Sequence, residues 1–314
     1  MAYRRSRTGY SRKRYGNRRS ARRGTGYRKR TTTTWRKRRT ARGSKQSFRK
    51  KVLNVSSKKK KDHMATIANA GTEPSWYPID LTAGTNGLGL ASTLWCATFR
   101  HQFTGNANPG QSREKNQVYW KGIKEKITVR TDTNAPVRWR RIVFEAPVLP
   151  DMAAVPTGSY VAYTAMPEKG AVADDNDQGA TYAYYRAFKS QGEPQRAAIE
   201  DLIFRGRRGV DWTDHMAASV DTAQTRVLYD KVIRFGSSAD SGVIRNFNMW
   251  HPLEKNMSYT GDEFGATMAE SNGFASAQRG TLGNVFIWDL FDWTPQVVGT
   301  VLVNSDACCY WHER

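Results

Sequence analysis

The side chains best able to do chemistry in this sequence are cations crowded near its N-terminus. Arg4, Arg5 and Arg7 come first, then Arg12-Lys13-Arg14, Arg18-Arg19, Arg22-Arg23 and Arg28-Lys29-Arg30. Such density suits phosphate neutralisation, which releases condensed counterions and gives binding that is indifferent to base sequence and falls steeply with salt. Tyr10, Tyr15, Tyr27 and Trp35 stand among these charges. Aromatic rings add base stacking worth about 1–3 kcal/mol per base, and only an unpaired strand offers free base faces. The combination points to single-stranded nucleic acid. A membrane-surface segment would show an amphipathic helix with an apolar stripe, and none is legible here.

The same stretch holds compact basic clusters of the kind that serve nuclear import: Arg12-Lys13-Arg14, Arg28-Lys29-Arg30, Arg36-Lys37-Arg38-Arg39, and the run Lys58, Lys59, Lys60 and Lys61. The pattern does not say which of them is used.

Catalytic patterns are missing from the rest. Gly87-Leu88-Gly89 opens like a dinucleotide fingerprint, but Ser92 stands at the third glycine and no βαβ unit follows. Asp174-Asp175-Asn176-Asp177 opens like a calcium loop, yet its twelfth position is Tyr185 where the bidentate Glu belongs. The five histidines are scattered, and no nucleophile elbow or phosphate-binding glycine loop occurs. Cys96, Cys308 and Cys309 are too few for a disulfide framework or a zinc site, so they read as reduced packing residues. The expectation is a protein with no catalytic residues, no metal and no cofactor. Tyr310 and Trp311 are a closely spaced aromatic pair, a candidate clamp on a neighbouring subunit.

These residues sit on a chain of sharply divided charge. Residues 1–61 hold 26 basic residues and no acidic one, while residues 62–314 hold 24 basic and 28 acidic groups. A segment so charged cannot bury enough apolar surface to offset its ordering entropy, so residues 1–61 read as an arm that is disordered when free. Residues 62–314 read as one large domain. No apolar run approaches the ~20 residues that cross a bilayer, and no apolar core follows the first basic residues as in a secretory signal.

Within the domain, apolar and polar residues alternate with period two. Ile123, Ile127 and Val129 face one way, and Lys124, Lys126, Thr128 and Arg130 the other. Val227, Tyr229, Ile233 and Phe235 alternate likewise. Further strands are expected at 94–103, 137–146, 159–165, 181–188, 243–250, 284–291, 297–303 and 307–311. In 137–146 the apolar parity switches, as a bulge or burial on both faces requires. One helix is expected at 195–204, where Pro194 suits its start and Ile199, Leu202 and Ile203 share a face. Strand runs without βαβ alternation predict an all-β fold, an antiparallel eight-stranded jelly-roll sandwich with long loops, and 62–90 a transition segment.

Three segments carry a family likeness: Met1-Ala2-Tyr3-Arg4-Arg5 ahead of the arm; Met249-Trp250-His251-Pro252-Leu253-Glu254-Lys255-Asn256 with Tyr259 and Asp262-Glu263 after it; and the ending Tyr310-Trp311-His312-Glu313-Arg314. With them the whole chain resembles the capsid protein of genomoviruses, small circular single-stranded DNA viruses related to geminiviruses. The resemblance implies a jelly-roll subunit of an icosahedral virion, with the arm inside on viral single-stranded DNA. It also implies import into the host nucleus by a host import receptor, and no membrane partner.

From the charge division follows a mechanism. Arms of this charge repel one another, so a closed shell is unfavourable until polyanion fills it. A smallest shell of about 60 copies would hold about 60 × 26, or about 1,560, arm charges, matching a genome on the order of 1.5 to 2.5 kilobases. Two other readings fit the basic arm: a cellular nucleic-acid-binding protein with a basic tail, and an enzyme of nucleic-acid metabolism that captures substrate with it.

Overall fold

The computed structural model describes residues 48–69, 71, 73–82, 89–102, 111–146, 155–166, 181–236, 242–259, 263–264, 267–268, 273–276, 278–294 and 298–314. The arm as far as residue 47 and the acidic stretch from Asp174 to Gly179 lie outside them.

Period-two alternation becomes eight principal strands: β1 (Lys58–Met64), β2 (Gly89–Cys96), β3 (Gln117–Thr131), β4 (Val137–Ala146), β5 (Arg226–Phe235), β6 (Ile244–Ser258), β7 (Asn284–Trp293) and β8 (Thr300–Glu313). They form two antiparallel sheets. One has the order β1-β8-β3-β6, with the short strand Tyr77–Asp80 also paired to β8; the other has the order β5-β4-β7-β2. The fold is mostly β and antiparallel. Between the sheets pack Trp120, Ile123 and Trp311 from the first, with Trp139, Ile287 and Phe291 from the second, all buried. Fully burying each such side chain is worth roughly 1.5–3 kcal/mol or more.

The sheets differ in how they meet solvent. In β3 the inward residues are buried, and Lys124, Lys126 and Arg130 are exposed, so the first sheet has one open face. In the second sheet β2, β4 and β7 are covered on both faces, while the edge strand β5 stays largely open. Trp288 packs on Phe204 and Phe286 on Tyr160, while helix α2 (Glu193–Ile203) buries Ile199 and Ile203. This explains the parity switch in β4, which is buried on both faces. Helix α2 begins with Pro194 in its first turn, and the Gln195 side chain accepts a hydrogen bond from the Gly192 N–H at 2.7 Å.

Several boundaries differ from expectation. In place of two strands at 297–303 and 307–311 there is one, β8, from Thr300 to Glu313, which continues through the polar Ser305 because its hydroxyl faces inward and donates to Glu125 at 3.1 Å while its N–H donates to the Thr66 hydroxyl at 2.8 Å. Strand β6 runs on to Ser258 past Pro252, which an edge strand tolerates, through a bulge where Glu254 takes φ 47°. The region 62–90, expected as a transition segment, contributes the end of β1, the short strands Thr66–Ala68 and Tyr77–Asp80, and the start of β2.

The largest correction concerns the arm. Its last residues are not free chain: Phe48–Ser56 forms helix α1, and Lys58–Lys61 opens β1. Lys59, Lys60 and Lys61 pair in register with His312, Trp311 and Tyr310 of β8. A lysine run reads as solvated because of its charge, but alternate positions of a strand face inward, and Lys60 finds acidic partners there.

Candidate nucleic-acid interface

Strand alternation sorts the expected site residues. From β1, Lys60, Asp62 and Met64 point inward and are buried, whereas Lys59, Lys61 and His63 point outward and are exposed. The Lys60 ammonium donates to a Glu114 carboxylate oxygen at 2.8 Å and to the Ser112 carbonyl at 2.8 Å, with Glu313 at 3.6 Å. Lys58 donates to the same Glu114 oxygen at 2.7 Å. Hydrogen bonds from these two lysines hold the Glu114 carboxyl below its ordinary range. Two of the four lysines proposed for nuclear import are therefore committed to holding β1 in place. Asp62, the first carboxylate of the chain, takes a hydrogen bond from Arg100 at 3.0 Å, and both side chains are buried.

The pair proposed as a clamp is split in the same way. Trp311 is 1% exposed and its indole N–H donates to Glu313 at 2.7 Å, so it is a core residue that cannot reach a neighbouring subunit. Tyr310 faces outward, half-buried, and meets Trp250 edge to face at 5.9 Å between ring centres. Cys308 and Cys309 likewise point to opposite faces, and both are free thiols. Burial pushes the Cys308 thiol up, which makes it a poor nucleophile or metal ligand.

The open face of the first sheet carries a broad set of outward charges assembled by the strand pattern. β1 contributes Lys59 and Lys61; β3 contributes Lys121, Lys124, Lys126 and Arg130. Against these six cations stand Asp306 on β8, Asp80 on the short strand paired to β8, and Glu254 on β6, the last already paired with Lys121. Register brings them close: Lys124 lies opposite Trp250 on one side and Cys308 on the other, and Lys61 lies opposite Tyr310. Arg130 stacks its guanidinium over Trp76, 4.3 Å from the ring centre. The face can thus neutralise phosphates and offer aromatic surface on one rigid element.

A second constellation lies between the sheets, and the sequence reading did not find it. Arg141, Arg186, Glu125 and Asp289 are each 0% exposed. Glu125 accepts from Arg141 at 2.6 Å, from Arg186 at 3.0 Å and from the Ser305 hydroxyl at 3.1 Å. Asp289 accepts from Arg141 at 2.7 and 2.8 Å, from Arg186 at 2.7 Å and from the Trp139 indole at 2.8 Å. Burial raises both carboxyls, but the two guanidiniums outweigh it and hold them below the usual carboxylate range. His251, close by, is pushed down to about 4 by burial. With two positive and two negative charges the cluster is neutral and satisfied, so it ties the sheets together and offers no open position for a ligand.

No family model matches this chain, and no curated protein matches it.

Proposed function

We propose that this chain is a viral capsid protein of the genomovirus kind, a jelly-roll subunit that assembles into a small icosahedral shell around circular single-stranded DNA. The observation that carries this reading is the pairing order of the principal strands. The first pairs with the eighth, the second with the seventh, the third with the sixth and the fourth with the fifth, all antiparallel. That is the order of a long hairpin rolled up into two sheets, as a jelly roll requires. Joined to it is an N-terminal segment of extreme positive charge and no carboxylate, which suits phosphate neutralisation.

In this reading residues 1–47, with 19 Lys and Arg, hold the DNA and carry the import clusters Arg12-Lys13-Arg14 and Arg36-Lys37-Arg38-Arg39. Lys58 and Lys60 are left out of that balance because Glu114 and Glu313 already pair with them. About 60 copies would then bring about 60 × 19, or roughly 1,100, arm charges to the cargo, so the open face of the first sheet supplements the arm. The protein acts in the virion and in the host nucleus, with copies of itself, viral DNA and an import receptor as partners.

Negative-stain microscopy of the full chain mixed with circular single-stranded DNA tests the proposal. Closed shells of uniform diameter are expected with DNA at moderate salt. A protein that coats the DNA as monomers or small oligomers would instead be a cellular nucleic-acid-binding protein with a basic tail.

A further inference from the structure

We propose that the open face of the first sheet carries a second single-strand site, separate from the arm: Trp250 and Tyr310 stack an unpaired base, and Lys61, Lys124 and Lys126 take the flanking phosphates. The inference rests on the nucleic-acid reading above and assigns part of that role to the folded domain.

The aromatic pair is built into the sheet. Trp250 stands on β6 and Tyr310 on β8, with β3 between them, so they could not touch if an ordinary side chain rose from β3 at the crossing. The residue there is Gly122, opposite Tyr310 on one side and Pro252 on the other. The Trp250 ring lies over it. A Cβ on Gly122 would come within 2.6 Å of Cζ2 and 2.7 Å of Cη2 of the indole, closer than any real contact. The missing side chain thus lets the indole cross β3 to reach Tyr310.

Trp250 remains 45% exposed in that position. A single exposed aromatic residue is ordinary on a protein surface, but its surroundings here are cationic. Lys61 is the register neighbour of Tyr310 and Lys124 that of Trp250, while Lys126 follows two residues along β3 on the same face, with Asp306 opposite it on β8 as the one carboxylate beside the three lysines. Among the described residues none of these three lysines forms an ion pair. Charge decides the occupant. A second copy docking this face on itself would oppose like charges, whereas a polyanion is drawn to it. The aromatic pair decides the form of the polyanion, because in a duplex the base faces are already stacked.

Photocrosslinking of the full chain to a single-stranded oligonucleotide bearing 5-bromodeoxyuridine, followed by peptide mass spectrometry, tests the assignment. Adducts are expected on Trp250 or Tyr310 as well as on residues 1–47, and the adducts at the pair should vanish with the same oligonucleotide as a duplex. In Trp250→Ala, which alters an exposed side chain, affinity for the single strand should fall about fivefold or more with the salt slope unchanged. In the Lys61→Ala, Lys124→Ala, Lys126→Ala triple variant the slope of log K against log salt should flatten by about 2. Gly122→Val should silence adducts at the pair while those in the arm persist. Adducts confined to residues 1–47, with both variants binding as the parent does, would overturn the second site and leave the capsid reading standing. No adduct anywhere would overturn both.

Discussion

Replacing Glu125 by glutamine keeps the size of the side chain and removes one negative charge from a fully buried place. Arg141 and Arg186 would then face Asp289 alone, leaving a net positive charge among groups that are each 0% exposed. Removing one member of a buried ion pair costs about 3–5 kcal/mol, chiefly because the remaining charge is uncompensated. For a domain of this size each kcal/mol lowers the melting temperature by about 2–4 °C, so Glu125→Gln should melt about 6–20 °C below the parent. Thermal unfolding of the full chain by circular dichroism at pH 7 reads this directly. The charge argument makes a second demand. Replacing Glu125 and Arg186 together by methionine removes one charge of each sign, and the pair should cost much less than the two single changes added together. A loss under about 2 °C in Glu125→Gln, or simple additivity in the double variant, would refute the account of the cluster as a balanced charge set.

The same cluster sets an acid limit. Because the folded carboxyls of Glu125 and Asp289 lie below their ordinary values, their contribution to stability is complete above the ordinary carboxylate range. It is lost as pH falls through the depressed values, so the parent should lose stability on acidification and Glu125→Gln should lose less, as a pH series of melting curves will read. Deleting residues 1–47 should leave the melting temperature of the domain within a few degrees. Deleting 1–61 should lower it sharply, because Lys58–Lys61 of β1 go with it and the Glu114 and Glu313 carboxylates lose Lys60; similar melting of both truncations would argue against β1 as part of the sheet. Asp62→Asn alone should cost on the order of 3 kcal/mol by the same measurement. In nuclear import of a fluorescent fusion, changing Arg36-Lys37-Arg38-Arg39 to alanine should reduce accumulation more than changing Lys59 and Lys61, which are held in a strand; the reverse order would place the signal in β1.

Strand type and rough position were legible wherever one face is wet. Lys124, Lys126 and Arg130 alternate with Ile123, Ile127 and Val129, and β3 follows that pattern. The candidate interface was half legible for the same reason: outward lysines announce themselves, but the strand order that sets them beside Trp250 and Tyr310 depends on pairings between residues far apart in sequence. Tyr310 and Trp311 looked alike as neighbours in sequence, and only the parity of β8 separates a surface ring from a core ring. The buried cluster had one overlooked signal. Glu125 occupies the apolar parity between Ile123 and Ile127, and Asp289 sits between Ile287 and Phe291. A charge at such a position needs a buried partner of opposite sign. Lys58–Lys61 misled for the opposite reason, since composition describes a segment in isolation and β8 supplied the partner strand.

The neutral quartet between the sheets also constrains how this sequence can drift. An exchange at any one of Glu125, Asp289, Arg141 or Arg186 strands a charge in the interior, so the intermediate in any stepwise replacement is the least stable form. Descendants of this chain should therefore keep all four or lose them in oppositely charged couples, and a survey of variant sequences ought to find the positions changing in concert.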